Sequence, residues 1–163
     1  MSKDVVKKLL GKVIKVDRNG PESRIGLLVH VGKDYIAILT DDGVVYYNSH
    51  HIKSFTEYKG DKENPEVPED VEFVKTDDFK GLFECSQFDW IRINRGGPET
   101  VEGILAGLED DFVVLVDYDQ VILISLFHIK NISYGKSLNE ESNYESNDHS
   151  NDESSDESSS SSS

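Results

Sequence analysis

At 163 residues, 36% of them hydrophobic and 30% charged, the chain has room for one ordinary domain or two very small ones near the lower limit of independent stability. Its net charge of -15 disfavours attraction to nucleic-acid phosphate, and no run approaches the roughly 18 apolar residues that a membrane helix needs. A single cysteine, Cys85, excludes an intramolecular disulfide and a cysteine-cluster zinc site; it reads most simply as a small core or linker residue, with an intermolecular crosslink as the lesser alternative.

The N-terminal "MSKDVVKKLLGK" lacks the long apolar stretch of a secretory signal, so export by that route is not expected. Within it, Val5, Val6, Leu9 and Leu10 recur at helical spacing and Gly11 ends the helix. Alternation of apolar and polar residues then takes over. "KVIKV", "RIGLLVHV", "YIAIL" and "VVYYN" read as strands, with a hairpin turn at Asp41 to Gly43, and "HIKSF" reads as a closing strand. After an acidic stretch the order repeats: "FKGLFE" as helix, then "WIRIN", "VEGILAGL", "FVVLV", a turn at Asp119 and Gln120, "VILISL" and "HIKNI".

The repetition is literal. Sliding the chain over itself by 77 positions places "RNGPES" (Arg18 to Ser23) on "RGGPET" (Arg95 to Thr100) and "HIK" at His51 on "HIK" at His128, with about 13 of 43 positions identical and no gap. One short helix and five short strands per copy, joined by turns too tight for crossover helices, predict a mainly β protein of two tandem small antiparallel barrels of the SH3-like or Sm-like kind. The expected cores are Ile14, Leu28, Ile36, Ile38 and Ile52 in the first copy and Ile91, Leu105, Val113, Leu115 and Ile129 in the second. Trp90, Tyr35, Tyr46 and Phe112 are read as barrel core too. The division runs 1–56 for the first module, 57–78 for an acidic linker, 79–135 for the second module and 136–163 for an acidic serine-rich tail. The tail from Ser137 holds eight acidic residues without Lys or Arg, and Glu57 to Asp78 holds nine against three lysines, so the modules themselves are near neutral. Linker and tail are too polar to offset the entropy of ordering, and both are expected to be mobile.

The repeated phrase is turn chemistry. Gly20 and Gly97 are expected to take backbone angles closed to other residues, Pro21 and Pro98 to fix φ, and Glu22 and Glu99 to meet turn amides or Arg18 and Arg95. Arg18, Gly20, Pro21, Glu22, Arg95, Gly97, Pro98 and Glu99 are thus the candidate structural or docking residues. Gly20 to Gly26 has the wrong spacing for a phosphate loop, no G-x-S-x-G elbow occurs, and His50, His51 and His128 lack a carboxylate or cysteine at ligand spacing. No catalytic residue, metal or cofactor is expected, and the chain is not read as an enzyme.

Taken together, "VYYNSHHIKSF", "WIRINRGGPETVEGIL" and "FHIKNIS" ahead of a serine-rich C-terminus resemble the spore coat protein B family of endospore-forming Bacillus-type bacteria, over roughly Val5 to Tyr134. That resemblance implies a structural component of the spore outer coat or exosporium, made in the mother-cell cytoplasm. Its implied partners are other coat proteins, this chain itself among the candidates, and a coat-associated kinase acting on the tail, with no nucleic acid and no membrane insertion. Candidate phosphorylation sites are Ser154, Ser155, Ser158, Ser159, Ser160, Ser161, Ser162 and Ser163. Longer members interleave tail serines with Lys and Arg, whereas here the neighbours are Asp152, Glu153, Asp156 and Glu157. The competing class is an Sm-like nucleic-acid-binding or other binding module, which would want a basic surface and the Sm residues that Ala37, Ile38, Lys53 and Ser54 replace.

Overall fold

A computed structural model describes residues 2–59 and 67–135. The serines proposed for modification, the whole tail and part of the linker lie outside the described residues. Helix α1 (Lys3–Lys7) precedes strands β1 (Val13–Val16), β2 (Arg24–Val31), β3 (Tyr35–Thr40), β4 (Gly43–Asn48) and β5 (Phe55–Glu57). Helix α2 (Phe79–Glu84) then precedes β6 (Trp90–Ile93), β7 (Val101–Glu109), β8 (Phe112–Asp117), β9 (Gln120–Ser125) and β10 (Asn131–Tyr134). The protein is mainly β, and all ten strands form one antiparallel sheet in the order β5-β1-β2-β3-β4-β10-β6-β7-β8-β9.

The two halves of that order are the same order, with the last strand of each copy lying on its first. Both copies also bulge at one place, where register shifts between Leu28 and His30 on β2 and between Leu105 and Gly107 on β7. A bulge bends its strand and increases local twist, so the repeated bulge curves each half alike. Gly26 and Gly103 match as well. A Cβ on Gly26 would stand 2.5 Å from the Leu39 carbonyl oxygen, and one on Gly103 2.7 Å from that of Val116, so each long hairpin approaches too closely for a side chain there.

Of the ten expected core residues, nine are buried and Ile52 is half-buried against the same cluster. They divide between two clusters. One lies inside the first half, around Ile14, Leu28, Ile36, Ile38 and Val45. The other joins the interior of the second half to Leu27, Tyr35, Ala37 and Tyr46, which lie on the opposite face of the first half's strands. Tyr35 and Tyr46 are therefore core, as expected, but core shared between halves. Phe112, the counterpart of Tyr35, is 45% exposed, which corrects its assignment to the core: among the described residues, no linker segment or helix packs over that face in the second half.

Three other expectations change. The "HIK" segments are not strands: His51 and His128 each end a short 3-10 turn, Ser49–His51 and Leu126–His128, and the closing strands begin later. Asn48 accounts for the first turn, because its side chain accepts the His50 backbone N–H at 3.1 Å. Cys85 is exposed at the C-cap of α2 and not part of the core. The C-terminal part of the acidic linker is docked on the sheet. Val67, Phe73 and Val74 pack against the shared cluster, the Tyr46 hydroxyl accepts the Val74 N–H at 2.7 Å, and the Tyr35 hydroxyl accepts the Thr76 N–H at 2.9 Å and donates to its carbonyl at 2.8 Å. A few apolar anchors and two buried phenols hold a stretch whose average polarity points to solvent.

Candidate functional site

The candidate site is the seam where the halves meet, and it begins with β4 and β10. Tyr47 lies opposite Asn131, Tyr46 opposite Ile132 and Val45 opposite Ser133. The Asn48 N–H donates to the Lys130 carbonyl at 2.9 Å, and its buried carboxamide donates to the Ile129 carbonyl at 3.0 Å. His51 reaches across to the Phe127 carbonyl, and its ring stands edge-on to that of Phe127.

Beside the strands, the two copies of the repeated phrase lie against each other. Gly96 has φ +102°, and a Cβ there would sit 2.1 Å from the Pro21 carbonyl oxygen; one on Gly97 would sit 2.5 Å from Glu22 Oε1. Arg24 donates to the Arg95 carbonyl at 3.0 Å. Two charged residues of the repeated phrase, Arg95 and Glu22, pair across the seam, whereas the sequence points to pairing within the turns. Arg95 meets Asp42 at 3.0 Å, and Lys130 meets Glu22 at 3.3 Å. Each pair is partly exposed and contributes about 0 to 1 kcal/mol, so their value is in register more than in strength.

The first copy's turn has Gly20 at φ +114°, as expected, but in the second copy the left-handed position is Gly96 and not Gly97. Position 96 is Asn19 in the first copy, so the second turn uses its extra glycine to approach Pro21. Gly96→Val should accordingly cost about 1–3 kcal/mol in chemical denaturation, through both the disallowed φ and the backbone contact. Gly97→Ala should cost less, because only the movable Glu22 carboxylate is in its way.

Sequence reasoning missed the residues that hold each turn to the "HIK" segment. Asp17 and Asn94, one position before Arg18 and Arg95, adopt φ of 57° and 55°. Asp17 Oδ1 accepts the Lys53 N–H at 2.7 Å, and Asn94 Oδ1 accepts the Lys130 N–H at 2.7 Å. The Ser23 and Thr100 hydroxyls donate to the carbonyls of Asp17 and Asn94 at 2.8 and 2.9 Å. The available signal was an Asp or Asn at matching offset, the residue types that tolerate left-handed backbone and bond locally. Of the singled-out residues, Glu22, Arg95 and Gly97 come together at the seam with Pro21. Arg18, Gly20, Pro98 and Glu99 lie on the turns without being brought to it. Among the described residues, no group of three or more His, Cys, Asp or Glu side chains is placed to hold a metal ion, and no helix is long and apolar enough to cross a membrane.

No family model matches the chain. Compared with curated proteins, it is similar to spore coat protein B of Bacillus subtilis (strain 168), 42% identical over 129 residues. The match takes in 78% of this chain but 33% of the relative, so the chain spans about a third of that protein's length. A match this long takes in more than one copy of the repeat, and at this identity the chain belongs to the spore coat protein B family.

Proposed function

We propose that this chain is a structural component of the spore coat, at the outer coat or exosporium, which acts by docking through its repeated β modules and not by catalysis. The observation that carries the reading is the 42% identity to spore coat protein B over 78% of the chain. The geometry favours it as well, because the repeated residues are spent on a seam between β modules. We read each half as a small SH3-like or Sm-like module, 1–56 and 79–135, joined by the linker 57–78; the shared strand order, with the last strand on the first, supports that division. The partners that fit are other coat proteins, and synthesis belongs to the mother cell.

A fluorescent fusion followed through sporulation tests this. A shell on the forespore surface is the expected result, and a diffuse or nucleoid signal would overturn it. For the tail 136–163, the serines beside Asp and Glu motivate multiple phosphorylation by a coat-associated kinase, each phosphate adding roughly -1.5 to -2 charges. Intact-mass measurement of protein extracted from spores should show phosphate-sized increments that disappear on deletion of the tail. A single unmodified mass would refute the modification.

A further inference from the structure

The seam uses only half of what the duplication supplies. At one end of the sheet β9 occupies the position that β4 holds at the seam, and at the other end β5 occupies that of β10; among the described residues neither has a strand on its outer edge. We propose that β9 of one molecule pairs with β5 of a second copy, repeating the internal seam between molecules so that the chain assembles head to tail. This goes beyond the coat reading and does not depend on it.

Three observations carry the proposal. The first is charge. Shifting the seam by 77 positions converts Asp42–Arg95 into Asp119 with Arg18 of the next copy, and Glu22–Lys130 into Glu99 with Lys53 of the next copy. All four residues are present with the required sign. Arg18 and Glu99, the parts of the repeated phrase that the internal seam leaves aside, thereby acquire a use.

The second is register. Strand pairing carried over from Tyr46 opposite Ile132 sets Leu123 opposite Phe55, and Val45 opposite Ser133 becomes Ile122 opposite Thr56. These are apolar and β-branched residues that suit a strand pair. His128 inherits the place of His51, aimed at the backbone of the next copy's His50.

The third is the exposed apolar face. Leu27, Tyr35 and Tyr46 are buried at the seam, whereas their counterparts Ile104, Phe112 and Leu123 are 43%, 45% and 55% exposed. On the other end of the molecule, the counterpart of fully buried Leu82 is Val5 on α1, 61% exposed. An incoming copy docked as the halves are docked brings its α1 toward that face, as α2 is brought toward Tyr35.

The external seam is weaker than the internal one. Ser125 replaces Asn48 and lacks its carboxamide, Val101 replaces Arg24, and Asn19 cannot approach a carbonyl as closely as Gly96 does. A heterologous contact of this kind closes into a ring if the rotation between modules allows and otherwise grows as an open filament.

The test uses the full purified chain in sedimentation and light scattering from about 1 µM to about 1 mM. The expected result is mass rising with concentration beyond two copies of 18.3 kDa. Ser125→Pro should weaken this association at least tenfold while leaving the fold intact, because Ser125 already has φ -62° and its N–H corresponds to the outward-facing one of Asn48. Independently, Asp119→Arg should weaken association two- to tenfold, and Asp119→Arg combined with Arg18→Asp should restore it. A protein that stays monomeric throughout overturns the proposal. So does association that stops at a dimer, as pairing of β9 with β9 would give, and so does association indifferent to both sets of changes.

Discussion

Leu82→Ala is expected to destabilise the protein by about 2–5 kcal/mol, while the matching change in the first copy, Val5→Ala, should stay within about 0.5 kcal/mol. Leu82 is fully buried on α2, in the cluster shared by Tyr35, Tyr46 and the interior of the second half. Truncation there loses the transfer free energy of its methyl and methylene groups and leaves a cavity that close-packed neighbours fill only in part. Val5 stands at the same position of α1, but its side chain is 61% exposed and leaves no cavity. Denaturant midpoints of the two variants, measured with the protein dilute, separate a seam that joins the halves from two modules that merely sit side by side. Equal losses would contradict the shared cluster.

The second large effect is alkaline unfolding. Burial pushes the phenols of Tyr47 and Tyr134 up from their ordinary value of 10.0, and that of Tyr46 up to about 12. The unfolded chain releases these protons near pH 10 while the folded chain keeps them. The stability they support is thus complete below pH 10 and is lost as pH rises toward the folded values. Tyr47 and Tyr134 each contribute a slope of about 1.4 kcal/mol per pH unit, so the pair contributes about 3, and Tyr46 adds to it in the same direction. Against a total of about 5–15 kcal/mol for a small protein, a loss of about 6 kcal/mol or more by pH 12 should lower the melting temperature steeply between about pH 10 and 12. Thermal melts taken at rising pH check this, and Tyr47→Phe should make the decline shallower. A melting temperature unchanged up to pH 12 would show that these hydroxyls are not held from water.

The strands and their duplication were legible in the sequence because period-two alternation and a gapless 77-residue register are both local in the chain. Ile14 with Ile91 and Leu28 with Leu105 could be placed in cores from pattern alone. What the pattern could not carry was which face of a strand meets a second element. Tyr35 and Phe112 occupy equivalent positions on equivalent strands, and one is buried only because Thr76, Phe79 and their neighbours return over it. Average composition likewise hid the docked part of the linker, since Phe73 and Val74 are two residues among many charged ones. The "HIK" segments misled for a different reason. Their backbone is held by Asp17 and Asn94, some 36 positions earlier, and by the Asn48 side chain, so alternation within the segment is no guide to it. The seam's ion pairs needed the strand order before the repeated arginines and glutamates could be assigned across copies.

The connection running from β5 to α2 has a consequence for when assembly starts. A short tether holds two surfaces at an effective concentration of about millimolar, so a contact of modest intrinsic affinity stays closed within one chain. The same contact made between chains, as proposed above and missing a few of its best groups, would be populated only where the protein accumulates to comparable density. Under the proposed head-to-tail pairing, such a molecule would travel singly through a dilute compartment and begin to join its neighbours when a surface gathers it. Crowding onto that surface would then act as the trigger, and the proposed assembly would need no separate switch to tell the chain where to polymerise.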